Sequence, residues 1–313
     1  MKKIVDDYRA MLQVCELYYN QDLSQTQIAR QLGLSRPTVR GLLQGAREKG
    51  LVKIIISALP GRNYLELERR LERKLGLKEA VIVENAADPS QQKDLLAQGA
   101  AGFLESILQE GHEVGVSMGT TLARIPRFVS GPCNRVTFVP LVGGIGNVNI
   151  NFHSNNIAEA LAKAFDAESL YLHAPSIVTR AQTKRELLKE ASIQRTLSRH
   201  DRLDIALMGI GTAGPSSAIA RAGYLNEAML HEIRQGGVCG DICMRLYDRA
   251  GDTSQIPSNG GVIGIDVQQI RKIPYSIGVA GGRDKVEAIR GALQGKLINI
   301  LVTDCVSAGL LCE

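Results

Sequence analysis

Over the first fifty positions apolar residues recur at helical spacing, and from residue 79 onward they gather into short runs separated by amphipathic stretches. Residues 8–20 put Met11, Leu12, Cys15, Leu17 and Tyr18 at the spacing of one helix. Ser24 opens the next, with Gln27 three positions on completing a capping box, and Ile28, Ala29 and Leu32 forming its inner face. Gly33 ends that helix and Leu34 anchors the turn. Ser35 caps a third helix with Pro37 in its first turn, where a missing N–H does no harm. Val39, Leu42 and Leu43 face inward on it, and Arg36, Thr38, Arg40 and Gln44 face elsewhere. Two short helices joined by a tight turn, the second opening in small polar and basic residues, predict a helix-turn-helix over residues 24–43.

Beyond it, residues 51–57 read as a strand, either a small wing or the start of a connector, and Pro60-Gly61 breaks the chain. Residues 64–75 predict an amphipathic helix with Leu65, Leu67, Leu71 and Leu75 among charges, suited to packing on its own body or against a second subunit. Strands are then expected at EAVIVE, HEVGVSMG, VTFVPLVGG, SLYLHAP, DIALMGIG, YSIGVAGG and INILVTD, with helices at 94–108, TTLARIPRFV, IAEALAKAF, 183–197 and DKVEAIRGALQ. Strands alternating with helices of this length imply a parallel sheet covered on both faces. The fold class is therefore α/β: an N-terminal all-α helix-turn-helix domain at 1–58, a linker or oligomerisation helix at 59–78, and a mostly parallel-sheet, Rossmann-like domain at 79–313.

Composition adds constraints. A chain of 313 residues, 44% apolar and 22% charged, can bury sizeable cores, and with no Trp and 4% aromatics those cores must be aliphatic. No apolar run approaches the ~20 residues that span a bilayer, and no secretory segment follows Met1, so a cytoplasmic protein without a membrane partner is expected. Nine Lys/Arg against five acids give residues 1–60 a charge of +4 out of the total of +5, which fits a local attraction to phosphate backbones. The six Cys include one close pair, Cys239 and Cys243, with no second pair or His cluster to complete a zinc site; neither metal nor cofactor is expected.

Candidate chemistry lies in four glycine-bearing strand ends: SMGTT (117–121), LVGGIG (141–146), GIGTAGPSS (209–217) and VAGGRDK (279–285). Open α/β sheets bind ligands at the carboxyl ends of their strands, where glycines admit an anion to backbone N–H groups. Thr120 and Thr121 add hydroxyls and Lys285 an ammonium, a set suited to a phosphorylated small molecule. GIGTAG misplaces its third glycine and no GxxxxGK[ST] occurs, which disfavours NAD and ATP. Asp241 is read as an acceptor for sugar hydroxyls, or else as a turn or helix cap; Asp304 fits a cap or a pocket wall. The five His are dispersed, and no nucleophile–base arrangement emerges. Ser35, Arg36, Thr38 and Arg40 are the candidate DNA contacts, since Arg pairs bidentately with guanine and small hydroxyls suit phosphates or base edges.

The stretches LYYNQDLSQTQIARQLGLSRPTVRGLLQGAREKGLVKI, LERKLGLKEAVIV, EVGVSMGTTL, LVGG, IALMGIG, GDICMRLYDRAGD, VAGGRDKVEAIRGAL and LVTD, in this order from residue 17 to 304, resemble the SorC family of bacterial transcriptional regulators. The resemblance implies an N-terminal DNA-binding domain and a sugar-binding domain that looks like sugar-phosphate isomerase and glucosamine-phosphate deaminase folds, without catalysis being expected. It implies a phosphate loop at Gly119, Thr120 and Thr121, a paired-glycine loop at Gly143 and Gly144, a ligand-contacting acid at Asp241 and a basic residue at Lys285. Its implied partners are operator DNA, a phosphorylated sugar or polyol as effector, and further copies of the chain in a homodimer or homotetramer. No Lys lies in 134–162, so a Schiff base from the LVGG strand is not expected. The competing reading is a sugar-phosphate isomerase or deaminase with an appended DNA-binding domain.

Overall fold

The computed structural model describes residues 8–52, 64–133, 135–144, 152–214 and 237–313, together with positions 220, 230, 231, 233 and 235. The chain divides into two compact units, Met1–Leu59 and Pro60–Glu313.

In the first unit α1 (Tyr8–Cys15) runs on into a widened π turn, Glu16–Asn20, and is followed by α2 (Gln25–Leu32) and α3 (Arg36–Glu48). The capping box is present: Gln27 N–H donates to Ser24 Oγ at 3.4 Å, and Ser24 N–H donates to Gln27 Oε1 at 2.9 Å. Gly33, at φ 64°, closes α2, and Ser35 Oγ accepts from Thr38 N–H at 3.2 Å to start α3. Met11, Val14, Leu17, Ile28, Val39, Leu42 and Ala46 make the core of this unit. Leu12, expected with the inner stripe of α1, is 53% exposed; Val14 lies on the buried face instead. The strand expected at 51–57 lies, past Val52, outside the described residues.

The second unit starts, among the described residues, with α4 (Leu65–Leu75) and continues with β1 (Glu79–Val83), α5 (Pro89–Ile107), β2 (Glu113–Val116), β3 (Thr137–Pro140), α6 (Ser154–Phe165) and β4 (Glu168–Ser169). After α7 (Ala181–Leu187) and α8 (Ala191–Leu197) come β5 (Ile205–Thr212), β6 (Val238–Ile242) and β7 (Arg245–Asp248). α9 (Val267–Ile270), β8 (Tyr275–Val279), α10 (Val286–Gln294), β9 (Ile300–Asp304) and α11 (Cys305–Leu311) complete it. The parallel strands lie in the order β1-β9-β8-β5-β2-β3-β4. Alternate residues of β5 serve opposite faces. Ile205 and Leu207 join a core with α5 and α6, whereas Ala206, Met208 and Ile210 join the core containing α4, α10 and α11.

Helix α4 packs on its own unit through the fully buried Leu71. Its acids do a second job: Glu68 accepts from Ile82 N–H at 2.9 Å and Glu72 from Ala80 N–H at 3.0 Å, so carboxylates cover the open edge of β1.

Several elements differ from the periodicity reading. Of SLYLHAP only Ser169 lies in a strand, β4, and Pro175 makes an isolated bridge with Gly144. TTLARIPRFV forms a 3₁₀ helix, Leu122–Phe128, around Pro126, whose missing N–H disfavours a continuous α-helix. The 183–197 stretch is two helices, and the helix expected from 94 begins at Pro89 behind the Asp88 cap. The hairpin β6–β7 was not anticipated. Cys243 (φ 50°) and Met244 (φ 64°) form its two-residue turn, a place where the Asn-Gly signal is the usual clue.

Candidate functional site

Strand order locates the crevice. From β2 the chain winds to β3 and β4 on one side; from β5 it winds to β8 and β9 on the other. The reversal falls between the adjacent strands β2 and β5, and ligands of open α/β sheets sit outside the carboxyl ends of strands at such a point. The loop after β2 carries Ser117–Thr121, and β5 runs on as Ile210–Thr212 to pair antiparallel with β6. The loop after β8 leads to Lys285.

Asp241, on β6, sits at this point. Its partner in register is Gly211, and a Cβ there would overlap the Asp241 carboxylate, so only glycine lets the acid lie against the β5 backbone. Asp241 is 6% exposed, and its Oδ1 is buried without a hydrogen-bond partner among the described residues. Burial pushes its carboxyl up to about 6, against the opposing pull of the Lys285 ammonium. Lys285 donates from Nζ to the carbonyl of Ile210 at 2.9 Å, which brings the cation to the same stretch of β5. The acid is thus neither a turn residue nor a cap; it is a strand residue placed by tertiary pairing.

In the β2 loop, Gly119 donates its N–H to the Phe152 carbonyl at 3.1 Å, and Thr120 and Thr121 are half-buried. Neither threonine hydroxyl has a partner among the described residues. Ser117, passed over in the sequence, is buried and donates to the Met118 carbonyl at 3.1 Å. It also hydrogen-bonds Cys243, whose thiol burial raises to about 12.

Gly143 and Gly144 are held differently. Their N–H groups donate to the carbonyls of Ile263 at 3.0 Å and Ala174 at 2.8 Å, and a Cβ on Gly143 would overlap the carbonyls of Ala174 and Pro175. These amides are committed to clamping β3's extension between 174–176 and 263–265. Residues 145–151 and 215–219, which hold parts of two expected loops, lie outside the described residues. Asp304 is a cap: its Oδ1 accepts from Val306 and Ser307 N–H at the start of α11.

In the first unit, Gln25, Arg36, Pro37 and Arg40 line a groove of about 380 Å³ where α2 begins beside α3. Arg36 and Arg40 stand one helical turn apart, exposed, with no acid partner among the described residues. Ser35 Oγ and Thr38 Oγ1 are 2.7 Å apart, so the two hydroxyls engage each other in the cap. Gln25 was missed because a polar residue in the first turn of a helix carries no signal until the neighbouring helix is placed.

Comparison with known proteins agrees with this arrangement. A family model described as a sugar-binding domain matches residues 60–312, and an IclR-type helix-turn-helix model matches residues 19–53. The Deoxyribonucleoside regulator of Bacillus subtilis strain 168 is 37% identical over 299 residues, covering 94% of both chains. The crystal structure of the full-length sorbitol operon regulator SorC from Klebsiella pneumoniae superposes with a TM-score of 0.74 at 32% identity, over 98% of this chain and all of that one. The chain belongs to the SorC family of sugar-binding transcriptional regulators. A DeoR family transcriptional regulator from Listeria monocytogenes also matches, with a TM-score of 0.72 at 29% identity, over 79% of this chain and 98% of that one. The SorC-family fold is thus a helix-turn-helix unit and a mostly parallel α/β unit in one chain. Among the described residues no helix is long and apolar enough to cross a membrane.

Proposed function

We propose that this SorC-family regulator binds operator DNA through α3 and is controlled by a phosphorylated sugar or polyol at the switch point of its second unit, working as a homodimer or homotetramer. The observation that carries the effector reading is the buried, unpartnered oxygen of Asp241 beside Lys285 at the carboxyl end of β5. A carboxylate of this kind suits sugar hydroxyl donors, and Lys285 with the Thr120 and Thr121 hydroxyls suits phosphate oxygens. The names of two relatives, a deoxyribonucleoside regulator and a sorbitol operon regulator, support a carbohydrate-derived ligand.

DNA affinity would come from neutralised phosphates and register from base contacts by Arg36 and Arg40. Operator symmetry would match the paired half-sites of a dimer. The effector changes the DNA equilibrium only by its differential affinity for the DNA-competent form.

Fluorescence anisotropy with duplex from upstream of the protein's own gene, across a salt series and a panel of sugar and polyol phosphates, tests the proposal. Binding that is absent, or indifferent to salt, would overturn it. Arg36→Ala is expected to lose about 1–3 kcal/mol of operator affinity; unchanged affinity would remove Arg36 from the contacts. Lys285→Ala is expected to weaken effector binding about 10- to 100-fold by calorimetry, since one charge-assisted contact to phosphate is lost, while operator binding without effector persists.

A carboxyl raised to about 6 also suits proton transfer, which is the one observation favouring an isomerase-like activity. Turnover of pentose or hexose phosphates by the full-length protein decides between the two readings.

A further inference from the structure

The hairpin that carries Asp241 is joined to the sheet along one side. β6 pairs with the end of β5, while β7 pairs, among the described residues, with β6 alone. The outer edge of β7 is closed by a side chain. Asn259, 7% exposed, accepts from Leu246 N–H through Oδ1 at 2.8 Å and donates from Nδ2 to the Leu246 carbonyl at 2.8 Å. A carboxamide thus stands where a further strand would pair. Leu246 is the register partner of Asp241, and Asp241 of Gly211. Gly211, Asp241, Leu246 and the Asn259 amide therefore form one transverse row.

Arg245, the residue before Leu246, is held to the same segment. It is buried, and it donates from Nε to the Ile265 carbonyl at 2.7 Å and from Nη1 to the Asn259 carbonyl at 3.3 Å. Its ion-pair partner, Asp266, stands 4.0 Å away with its side chain largely in solvent. A buried guanidinium so weakly compensated stabilises a fold less than an apolar side chain of similar volume, so packing alone gives no reason for it. Its rigid fork, however, can grip two carbonyls at once, which a lysine ammonium cannot do in the same geometry. Those carbonyls belong to residues 259–265, a segment fixed on both flanks. Ile265 N–H donates to the Leu141 carbonyl at 2.7 Å, and Ile263 N–H donates to the Ser176 carbonyl at 2.8 Å. The hairpin's free strand is thereby fastened to the same segment that clamps Gly143.

We infer that Arg245 and Asn259 are positioning residues for effector recognition: by pinning β7 to the 259–265 segment they keep Asp241 pressed on Gly211, sealed from water and aimed at a ligand hydroxyl. Both act through Asp241. Without the clamp the hairpin lifts from the end of β5, and water reaches the carboxyl. The inference deepens the effector reading and rests on it for the ligand-binding arm of its test; the ligand-free arm stands apart from that reading.

The test uses the full-length protein with Arg245→Lys, which keeps the charge and loses the fork. In the ligand-free arm, urea unfolding between about pH 4 and 6.5 measures how much Asp241→Asn stabilises its parent, in the wild-type and Arg245→Lys backgrounds. The titratable groups facing Asp241 are Lys285, Cys243 and Tyr247. The Cys243 thiol, raised to about 12, and the buried Tyr247 phenol, raised further from its ordinary value, stay neutral across that range. The gain from Asp241→Asn is expected to climb with pH in the wild type and to climb less than half as far with Arg245→Lys, where water restores the carboxylate. An equal climb in both backgrounds shows that Arg245 only stabilises the fold, and overturns the inference. A wild type without a climb removes the sealed carboxyl and overturns it too. In the ligand arm, calorimetry with a pentose 5-phosphate, a hexose 6-phosphate and a hexitol 6-phosphate is expected to show Arg245→Lys binding the responding compound about tenfold more weakly, the worth of one hydroxyl contact to a displaced carboxylate. Wild-type affinity in Arg245→Lys, alongside loss in Lys285→Ala, overturns the inference and leaves the effector reading standing. No binding of any compound to the wild type overturns the effector reading, and the ligand-free arm then decides whether Arg245 positions Asp241. If Arg245→Lys does not fold, Asn259→Ser, which is too short to bridge Leu246, goes through both arms with the same expected and overturning results.

Discussion

Asp304→Ala is expected to destabilise the second unit by about 3–5 kcal/mol, the sum of a lost helix cap and several orphaned buried donors. Asp304 is 0% exposed, and its two oxygens divide the work. Oδ1 accepts from Val306 N–H at 3.0 Å and Ser307 N–H at 2.9 Å, capping α11. Oδ2 accepts from Ser307 Oγ at 2.7 Å and from Gly282 N–H at 2.7 Å. The last contact reaches from the end of β9 to the loop after β8, the loop that leads to Lys285. Alanine leaves the two α11 amides and the Ser307 hydroxyl without their acceptor, which costs more than the contacts themselves contribute, whereas Gly282 N–H keeps Ser307 Oγ at 2.9 Å. Asp304→Asn separates the two roles. Its carbonyl can still cap the helix, but its amide faces the Gly282 N–H as donor to donor, so the loss should be roughly halved. Urea unfolding followed by circular dichroism measures both. An alanine variant within about 0.5 kcal/mol of wild type, the range of an ordinary surface change, would contradict this account.

The second large effect is a pH profile. Asp241 titrates near 6 in the fold against 3.8 as its ordinary value, because burial disfavours its charged form more than Lys285 restores it. Between those pH values the native state retains a proton that the unfolded chain has released. Its contribution to stability therefore falls as pH rises through the window, and above about pH 6 the charged group costs the fold about 3 kcal/mol. Asp241→Asn has no such titration. Its stability relative to wild type should climb from pH 4 to about 6.5 and then level off, and a gain independent of pH would refute the assignment. The same variant should lose effector response. A protein that retains a carboxylate so costly to its fold is trading stability for function, and ligand hydroxyls that supply the missing donors would relieve the cost. Effector binding should then release protons near pH 6, which calorimetry in buffers of different ionisation enthalpy can read.

The helix-turn-helix was legible residue by residue. Ser24 with Gln27, Gly33, Ser35 and Pro37 each act within one turn of their own backbone, so their roles survive whatever surrounds them. Leu12 shows the limit: spacing names a stripe but not its width, and whether an edge position is covered depends on a neighbouring helix. In the second unit the cores of β1, β2, β3, β5, β8 and β9 were equally visible, but their ends and the β6–β7 hairpin were not. VTFVPLVGG reads as one strand, yet ladder pairing stops at Pro140, and Val142 and Gly144 enter isolated bridges with the distant Gly264 and Pro175. Helix α6 likewise begins at Ser154 and not at the apolar Ile157, the polar HSNN before it being the kind of start signal that marks a first turn.

By itself, then, the sequence determined what is local: the periods, the caps, the turn between α2 and α3, the basic start of α3, and the alternation of strand and helix that makes the sheet parallel. The tertiary structure alone decided the order of the strands, the pairing of β6 with the end of β5, and the packing of α4 onto β1. From these came the properties of the candidate site: the burial of Asp241 and its meeting with Lys285. The physical reason is one of range. Hydrogen bonds within a turn and the repeat of apolar side chains are set by residues a few positions apart, whereas desolvation and electrostatic pairing depend on which distant segments exclude water from a group, and that information is distributed over the whole chain.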